Sequence, residues 1–346
     1  MQQPVVLAVD GNSLVHRSFH AQAQTGQASW AVRGLLTQLV AAVERVRPAV
    51  VVVGFDDPDR STRRERWPGY KANRVDKLDT LVEQLAEAVD VLRRIGVAVV
   101  VPAGLEADDV LASCAEYAPR HGARTVVVTS DRDAFALIDE HTHVLRIING
   151  GVDASPTMTA ERLVLLLGVH PHQYRDYAAL RGDPSDNLPG VRGVGPKLAA
   201  RLLGEFGSAR AAFDDLDAVT ARLGQGAARR MACDGAREAW ELNCQVMTMH
   251  RDVELGLELA GGVGVLPLAA DPVAAVFREH NLTWSAANAV RVLADVEPAD
   301  AGETVTPAPA YADAPGERRW WRTGAPRRLP PLPPKRPAVE QLSLFD

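Results

Sequence analysis

The sequence predicts an α/β protein: a mostly parallel sheet flanked by helices, then a helical region and a tail outside the core. Three observations carry this. Short β-branched runs recur at residues 5–9, 50–55, 97–101, 125–129 and 144–147, and apolar runs of that length read as strands buried on both faces. Amphipathic helical stretches, such as 31–46 and 80–95, lie between several of them. Strand–helix–strand alternation implies a parallel sheet covered on both sides. From about Thr157 the periodicity turns helical, with 160–167, 174–180 and 196–206 punctuated by Gly and Pro.

Bulk properties exclude some classes. The chain has 346 residues, 47% of them hydrophobic, enough for two modest domains or one large one plus a tail. Its formal charge of -6 does not point to nucleic acid, but a carboxylate-rich metal site lowers the total while basic patches sit elsewhere. Cys114, Cys233 and Cys244 have no close spacing, so they suggest neither a zinc site nor a disulfide framework, and a reducing cytoplasm fits. No basic n-region precedes a long apolar run, and no uncharged stretch reaches membrane-spanning length. The expectation is a cytoplasmic protein with no membrane partner.

The acids fall at strand ends. Asp10 follows VVLAV, Asp56 follows VVVGF, Glu106, Asp108 and Asp109 follow VVVPAGL, and Asp131 and Asp133 follow TVVVTS. In an open parallel sheet those ends share one edge, where ligand sites form. Asp183 and Asp186 add a pair from the helical half. Like charges so close raise one another's pKa, and hard divalent cations such as Mg²⁺ or Mn²⁺ relieve this. Two such ions about 3.5–4 Å apart can clamp the attacking and leaving oxygens of a phosphodiester. A lone Asp after a strand is more often a helix cap, and Glu106, Asp108 and Asp109 could simply favour a helix N-terminus. Four such groups at successive strand ends favour the metal reading.

The segments DGNSLVHRSF, FDDPDRSTRRERWPGYKANR, GLEADDVLA, TSDRDAFALI and GDPSDNLPGVRGVGPKLAARLL occur in that order. Together they resemble the successive motifs of the 5′-nuclease domain of bacterial DNA polymerase I and the wider flap-endonuclease superfamily, over about residues 4–290. The resemblance implies a PIN-like (Rossmann-like) sheet, a helical arch and a helix-hairpin-helix (helix–three-turn–helix) subdomain. It implies a catalytic domain over 1–156, a helical DNA-binding subdomain over 157–296, and a tail over 297–346. By position, Asp10, Asp56, Glu106, Asp108 and Asp109 match the family's first metal site. Asp131, Asp133, Asp183 and Asp186 match the second.

STRRERWPGYKANR is dense in Arg and Lys, with Trp67 and Tyr70 interleaved. Cations there can neutralise phosphates and aromatics can stack on bases; the alternative is a solvated helix face. In the related family this region is the arch. Arg63, Lys71 and Arg74 match its basic positions, with Lys71 and Arg74 expected to hold the scissile phosphate. Tyr70 matches a position suited to stacking on the terminal base, and Arg17 another basic position. Thr62 stands where the family commonly has an aromatic. In LPGVRGVGPKLAARLL, glycines allow backbone N–H groups to approach a phosphate at a helix N-terminus, or simply form a tight turn between helices. The resemblance implies a duplex-gripping element with Gly193, Gly195 and Lys197, and a K⁺ ion bridging turn and phosphate.

Residues 297–338 are rich in Pro, Ala and Arg, including PPLPPKRP, and lack periodic apolar spacing, so they read as disordered or polyproline-like. Within them Arg318, Arg319, Trp320, Trp321 and Arg322 form a basic patch, read as either added DNA affinity or a soluble spacer. The chain ends QLSLFD. Gln341, Leu342, Ser343, Leu344 and Phe345 resemble the pentapeptide with which bacterial replication proteins bind the β sliding clamp, on a tether that suits such a role. The function expected is metal-dependent hydrolysis of DNA at a 5′ end, flap or nick, in a polypeptide with no polymerase domain. Two rivals are a catalytically silent DNA-structure binder and a PIN-type RNA endonuclease. The full set of acids argues against the first, and GVRGVGPK against the second.

Overall fold

In the computed structural model, which describes residues 3–22, 28–74 and 77–295, strand β1 (Val5–Asp10) lies at the middle of a six-stranded sheet. Side chains of a strand alternate between faces, and here both faces are covered. Val6 and Ala8 enter one core, Leu7 and Val9 the other. β2 (Val50–Gly54) divides the same way, Val50 and Val52 against Val51 and Val53. β3 (Ala98–Val100) is the short edge strand; the chain leaves the ladder before Pro102, which has no N–H to donate. β4 (Arg124–Thr129) and β5 (Thr142–Arg146) repeat the division with Val127 against Val128 and Val144 against Leu145.

The strand order is β3-β2-β1-β4-β5, all parallel, closed by an antiparallel β6 (Thr157–Met158). The chain therefore runs outward from β1 to β3 and returns beyond β1 to β4. That reversal opens a crevice at the C-terminal ends of β1 and β4.

Helices α1 (Gly11–Gln22), α2 (Trp30–Val46) and α4 (Asp79–Arg94) cover the face of Leu7 and Val9. In α2 the buried positions Val32, Leu35, Leu36, Leu39 and Val43 follow helical spacing. A Cβ on Gly34 would stand 2.5 Å from Ser18 Cβ, so glycine is what lets α1 and α2 cross so closely. The short α3 (Thr62–Arg66) follows β2. Helix α5 (Ala107–Arg120) covers the opposite face.

Beyond the short α6 (Gly151–Ala154) and β6, the helical half begins with α7 (Ala160–Leu167) and α8 (Tyr174–Arg181). A ribbon of β7 (Gly182–Asp183) and β8 (Leu188–Pro189) leads to α9 (Pro196–Phe206). Then come α10 (Ala209–Asp214), α11 (Leu216–Leu223), α12 (Gln225–Met231) and α13 (Ala236–Val246). Tyr177, Leu202 and Trp240 share one buried cluster with Val6, Val52 and Leu111, so this half and the sheet have a common core.

The end of the expected helical subdomain, 157–296, packs against the sheet's own covering helices. Helices α14 (Ala270–Glu279) and α15 (Thr283–Ala294) carry Val273, Val276, Phe277, Ala289 and Leu293 into the cluster of α2 and α4, on the far face of the sheet. Their apolar faces pack on α4 and α2, the helices that cover that face of the sheet. Among the described residues no helix is long and apolar enough to cross a membrane. The expectations for 297–346, including Gln341, Leu342, Leu344 and Phe345, lie outside the described residues.

Candidate active site

The ends of the central strands open onto a cleft of about 630 Å³ lined by Asp10, Asp56, Glu106, Asp108, Asp131, Asp133 and Asp186. Asp10 ends β1, and its oxygens accept from Ser13 N at 2.8 Å and Thr129 Oγ1 at 2.7 Å. It thus caps the start of α1 and lines the cleft as well, so the two readings of this residue coexist. A Cβ on the next residue, Gly11, would lie 2.4 Å from the Phe55 ring; glycine lets the turn out of β1 sit this tightly. Asp56 exchanges bonds with Asn12, whose Nδ2 donates to Oδ2 at 2.7 Å and whose Oδ1 accepts from Asp56 N at 3.0 Å. Asp56 Oδ1 also accepts from Ala107 N at 3.0 Å, holding β2 against the start of α5. Asp131 accepts from Asp133 N at 2.9 Å. Among the described residues, the carboxylates of Asp108 and Asp133 have no hydrogen-bond donor.

The electrostatics follow. Burial pushes Asp10 up to about 7 against the bonds from Ser13 and Thr129, and Asp56 and Asp131 add to the rise. Burial, then Asp131 and its acidic neighbours, push Asp133 up to about 7. Asp108 is raised by burial and by Asp131 and Asp10. The cleft holds more negative charge than its own cations compensate. Burial also lowers His16 to about 4, helped by Lys77, His20 and Arg74, which leaves that ring neutral at neutral pH.

Lys71 and Arg74 stand at the rim. Lys71 Nζ donates to Glu106 at 3.0 Å and its backbone N to Asp186 O at 2.9 Å. Lys71 itself adopts φ 54°. Burial alone would weaken its ammonium, but Glu106 and Asp186 hold its pKa above the ordinary value. Arg74 donates to Asp186. Arg17 also lines the cleft and bonds Asn149 Oδ1 at 2.9 Å.

Three expected site residues are held by other groups: Arg63 and Tyr70 among the cleft lining, and Asp109 outside it. Arg63, expected to meet phosphate, is 6% exposed. Its guanidinium donates to Asp109 at 2.6 and 2.7 Å, to Glu106 at 3.4 Å, and to the carbonyls of Val246 and Thr248. Asp109, expected as a metal ligand, is fully buried and away from the cleft. Burial opposes its charge, but Arg63 and the N–H groups of Glu106 and His250 hold its pKa low. On a helix, neighbours one residue apart point about 100° apart, and here Asp108 lines the cleft while Asp109 turns to Arg63. Tyr70, expected to stack on a base, is buried with Leu188 and Val246 and donates to Glu106 at 3.1 Å.

Asp183 caps the single turn Pro184–Asp186, accepting from Ser185 N and Oγ, and its charge reaches Asp133 and Asp186. Thr62 bonds Gly104 O through Oγ1 at 2.9 Å, and its methyl lies where a Gly104 Cβ would be, 2.8 Å away. The small side chain here fits the turn it meets. Gly193 has φ 80° with the Arg230 side chain against it, whereas Gly195 begins α9 with open space where a Cβ would go. Lys197 is exposed. Asn12, Ser13 and Thr129, which orient the carboxylates, were not anticipated; Asn12 and Ser13 stand in the first motif, directly after Asp10 and Gly11.

Among the described residues no three His, Cys, Asp or Glu groups converge tightly enough to hold one ion between them. That disfavours a closed all-protein cage. The donors are carboxylates spread along a cleft, two of them unpartnered, which suits Mg²⁺- or Mn²⁺-like ions that keep water and phosphate oxygens in their shell.

A family model described as "5′-3′ exonuclease, N-terminal resolvase-like domain" matches residues 5–165, and one described as "5′-3′ exonuclease, C-terminal SAM fold" matches 169–263. DNA polymerase I of Mycobacterium bovis is 39% identical over 228 residues, covering 64% of this chain and 25% of that protein. The chain thus spans about a quarter of the length of the curated relatives it matches. A T5 5′-exonuclease structure with bound zinc aligns with a TM-score of 0.57 at 17% identity, over 83% of this chain and 93% of that one. The catalytic core of Rad2 with DNA substrate aligns with a TM-score of 0.55 at 15% identity, over 84% of this chain and 91% of that one. Both show a shared fold.

Proposed function

The chain belongs to the 5′-3′ exonuclease family, and from that premise we propose that it is a structure-specific 5′-nuclease that hydrolyses DNA phosphodiesters at 5′ ends, flaps and nicks with divalent metal ions. One observation carries this reading: seven carboxylates from successive strand ends and from the β7–β8 turn line one cleft, with Lys71 and Arg74 at its rim.

Asp10, Asp56, Glu106 and Asp108 would hold a first ion, and Asp131, Asp133, Asp183 and Asp186 a second. When bound, Mg²⁺ or Mn²⁺ would neutralise these acids, lower the pKa of a water and stabilise charge developing on the phosphate. Asn12, Ser13 and Thr129 fix the carboxylate orientations beforehand, which spares reorganisation during the reaction. Lys71 and Arg74, bonded to Glu106 and Asp186 in the free protein, hold the scissile phosphate in the complex. Arg17 meets a further phosphate. Gly193, Gly195 and Lys197 grip the duplex backbone, and this turn would hold a K⁺ ion that would supply positive charge toward a phosphate. Gln341, Leu342, Leu344 and Phe345 dock on the β sliding clamp.

The test is cleavage of a 5′-labelled flap duplex with Mg²⁺, Mn²⁺ or EDTA, beside a matched single strand. Products near the junction, lost in EDTA, support the reading. Tight flap binding without cleavage under either metal replaces it with the silent DNA-binding module. Clamp pull-down after deletion of residues 341–346 tests the tail separately.

A further inference from the structure

Arg146 is the last residue of β5 and pairs in register with Thr129, the residue that holds Asp10. Its Nε is buried and has no hydrogen-bond partner among the described residues. Burial and the charges of Arg132 and Arg17 weaken its hold on its proton despite Asp131 nearby. Arg132 lies between Asp131 and Asp133 and is exposed. Arg17 reaches from α1 to Asn149, three residues beyond Arg146, and both line the cleft.

Three segments therefore bring arginines together at the β4–β5 end of the site. Lys71 and Arg74 each bond a carboxylate. Among the described residues, none of Arg17, Arg132 or Arg146 does. The positive charges of Arg132 and Arg17 reach Arg146, whose buried Nε has no partner among the described residues, and a phosphate there would satisfy that donor and offset the charges. Guanidinium forks match phosphate oxygens geometrically.

We propose that Arg17, Arg132 and Arg146 form a phosphate-binding subsite beside the carboxylate cleft, distinct from Lys71 and Arg74, which seats a phosphate of the substrate strand other than the one cut. The inference rests on the nuclease reading for the identity of the strand. The phosphate is either the strand's 5′-terminal group or an internal diester. Both present non-bridging phosphate oxygens to a guanidinium.

The test uses the full chain with fluorescent flap duplexes bearing a 5′-phosphate or a 5′-hydroxyl, in EDTA so that nothing is cut, across a salt titration. Arg132→Gln and Arg146→Gln are compared with the wild type. Arg132 is exposed, so its variant remains informative if Arg146→Gln fails to fold. Each folded variant should bind more weakly and flatten the slope of log affinity against log salt by up to about one unit. Loss confined to the phosphorylated end identifies the terminal phosphate; equal loss on both identifies an internal diester. Affinity and slope matching the wild type in Arg132→Gln, and in Arg146→Gln where it folds, overturn the subsite. Wild-type protein that neither binds nor cuts flaps overturns the nuclease reading instead, a separate outcome.

Discussion

Arg63 and Asp109 form a buried two-pronged ion pair, with Nη2–Oδ1 at 2.6 Å and Nη1–Oδ2 at 2.7 Å. The pair ties together three parts of the chain. Arg63 comes from α3 and also binds the carbonyls of Val246 and Thr248. Asp109 comes from α5 and also accepts from His250 N at 2.8 Å. The base of the expected arch, the sheet's catalytic edge and the end of α13 thus meet at one charge pair.

Removing one partner leaves the other charge buried and alone. Asp109→Asn should lower stability by roughly 3–5 kcal/mol, read from urea unfolding. The pKa of Asp109 is held low in the fold. Its stabilising contribution is therefore complete above the ordinary carboxylate range and lost as pH falls through its folded value. An Asp109→Asn protein with unchanged stability but no metal-dependent cleavage would return Asp109 to the ligand set.

The opposite sign holds in the cleft. Asp10 and Asp133 titrate near 7 in the fold against 3.8 ordinarily. Between those values the folded state binds more protons than the unfolded state, so stability falls as pH rises. Metal-free protein should unfold at lower urea at pH 7.5 than at pH 5.5, and Mg²⁺ should restore much of the difference. Asp10→Asn should flatten the metal-free profile. An identical slope in that variant would mean that Asp10 ionises in its ordinary range.

The sheet is legible in the sequence because burial on both faces demands continuous apolar runs, and β1, β2, β4 and β5 supply them. The acids that line the cleft are legible because a parallel sheet brings its strand ends to one edge. Chain order alone cannot say which of Asp108 and Asp109 faces inward. That depends on Arg63, which is 46 residues from Asp109, and on His250, 141 residues away. Tyr70 is an aromatic beside basic residues, and only the acceptor at Glu106 and the packing of Leu188 and Val246 show that its ring faces in. The packing of α14 and α15 on α4 and α2 is equally non-local. Their amphipathic pattern shows that they need a partner, and only the fold shows that α4 and α2 supply it.

Lys71 tests the division of labour at the rim. Its ammonium bonds Glu106 in the free protein, and the proposed function moves it onto the phosphate. Lys71→Ala should slow single-turnover flap cleavage by about 10²–10³-fold, the usual loss for a donor aimed at developing charge. Flap affinity measured in EDTA should change far less. A loss of cleavage below about tenfold would leave Lys71 as a neutralising partner of Glu106 only.

The glycine turn before α9 permits a cleaner separation of folding from binding. Gly193 has φ 80°, and a Cβ there would meet Arg230 Nε at 2.8 Å, so Gly193→Ala should destabilise by about 1–3 kcal/mol. Gly195 has φ -90° and ψ -177°, extended backbone that alanine adopts freely, and no atom lies within 4 Å of its would-be Cβ. Gly195→Ala should therefore leave stability within about 0.5 kcal/mol. The added methyl would still stand where a phosphate must approach the N–H groups that begin α9. Affinity for a blunt duplex, measured by anisotropy with and without K⁺, should fall severalfold in Gly195→Ala while the urea midpoint stays in place. Unchanged duplex affinity would show that the backbone of this turn does not touch DNA, and would shift the duplex grip to exposed side chains such as Lys197.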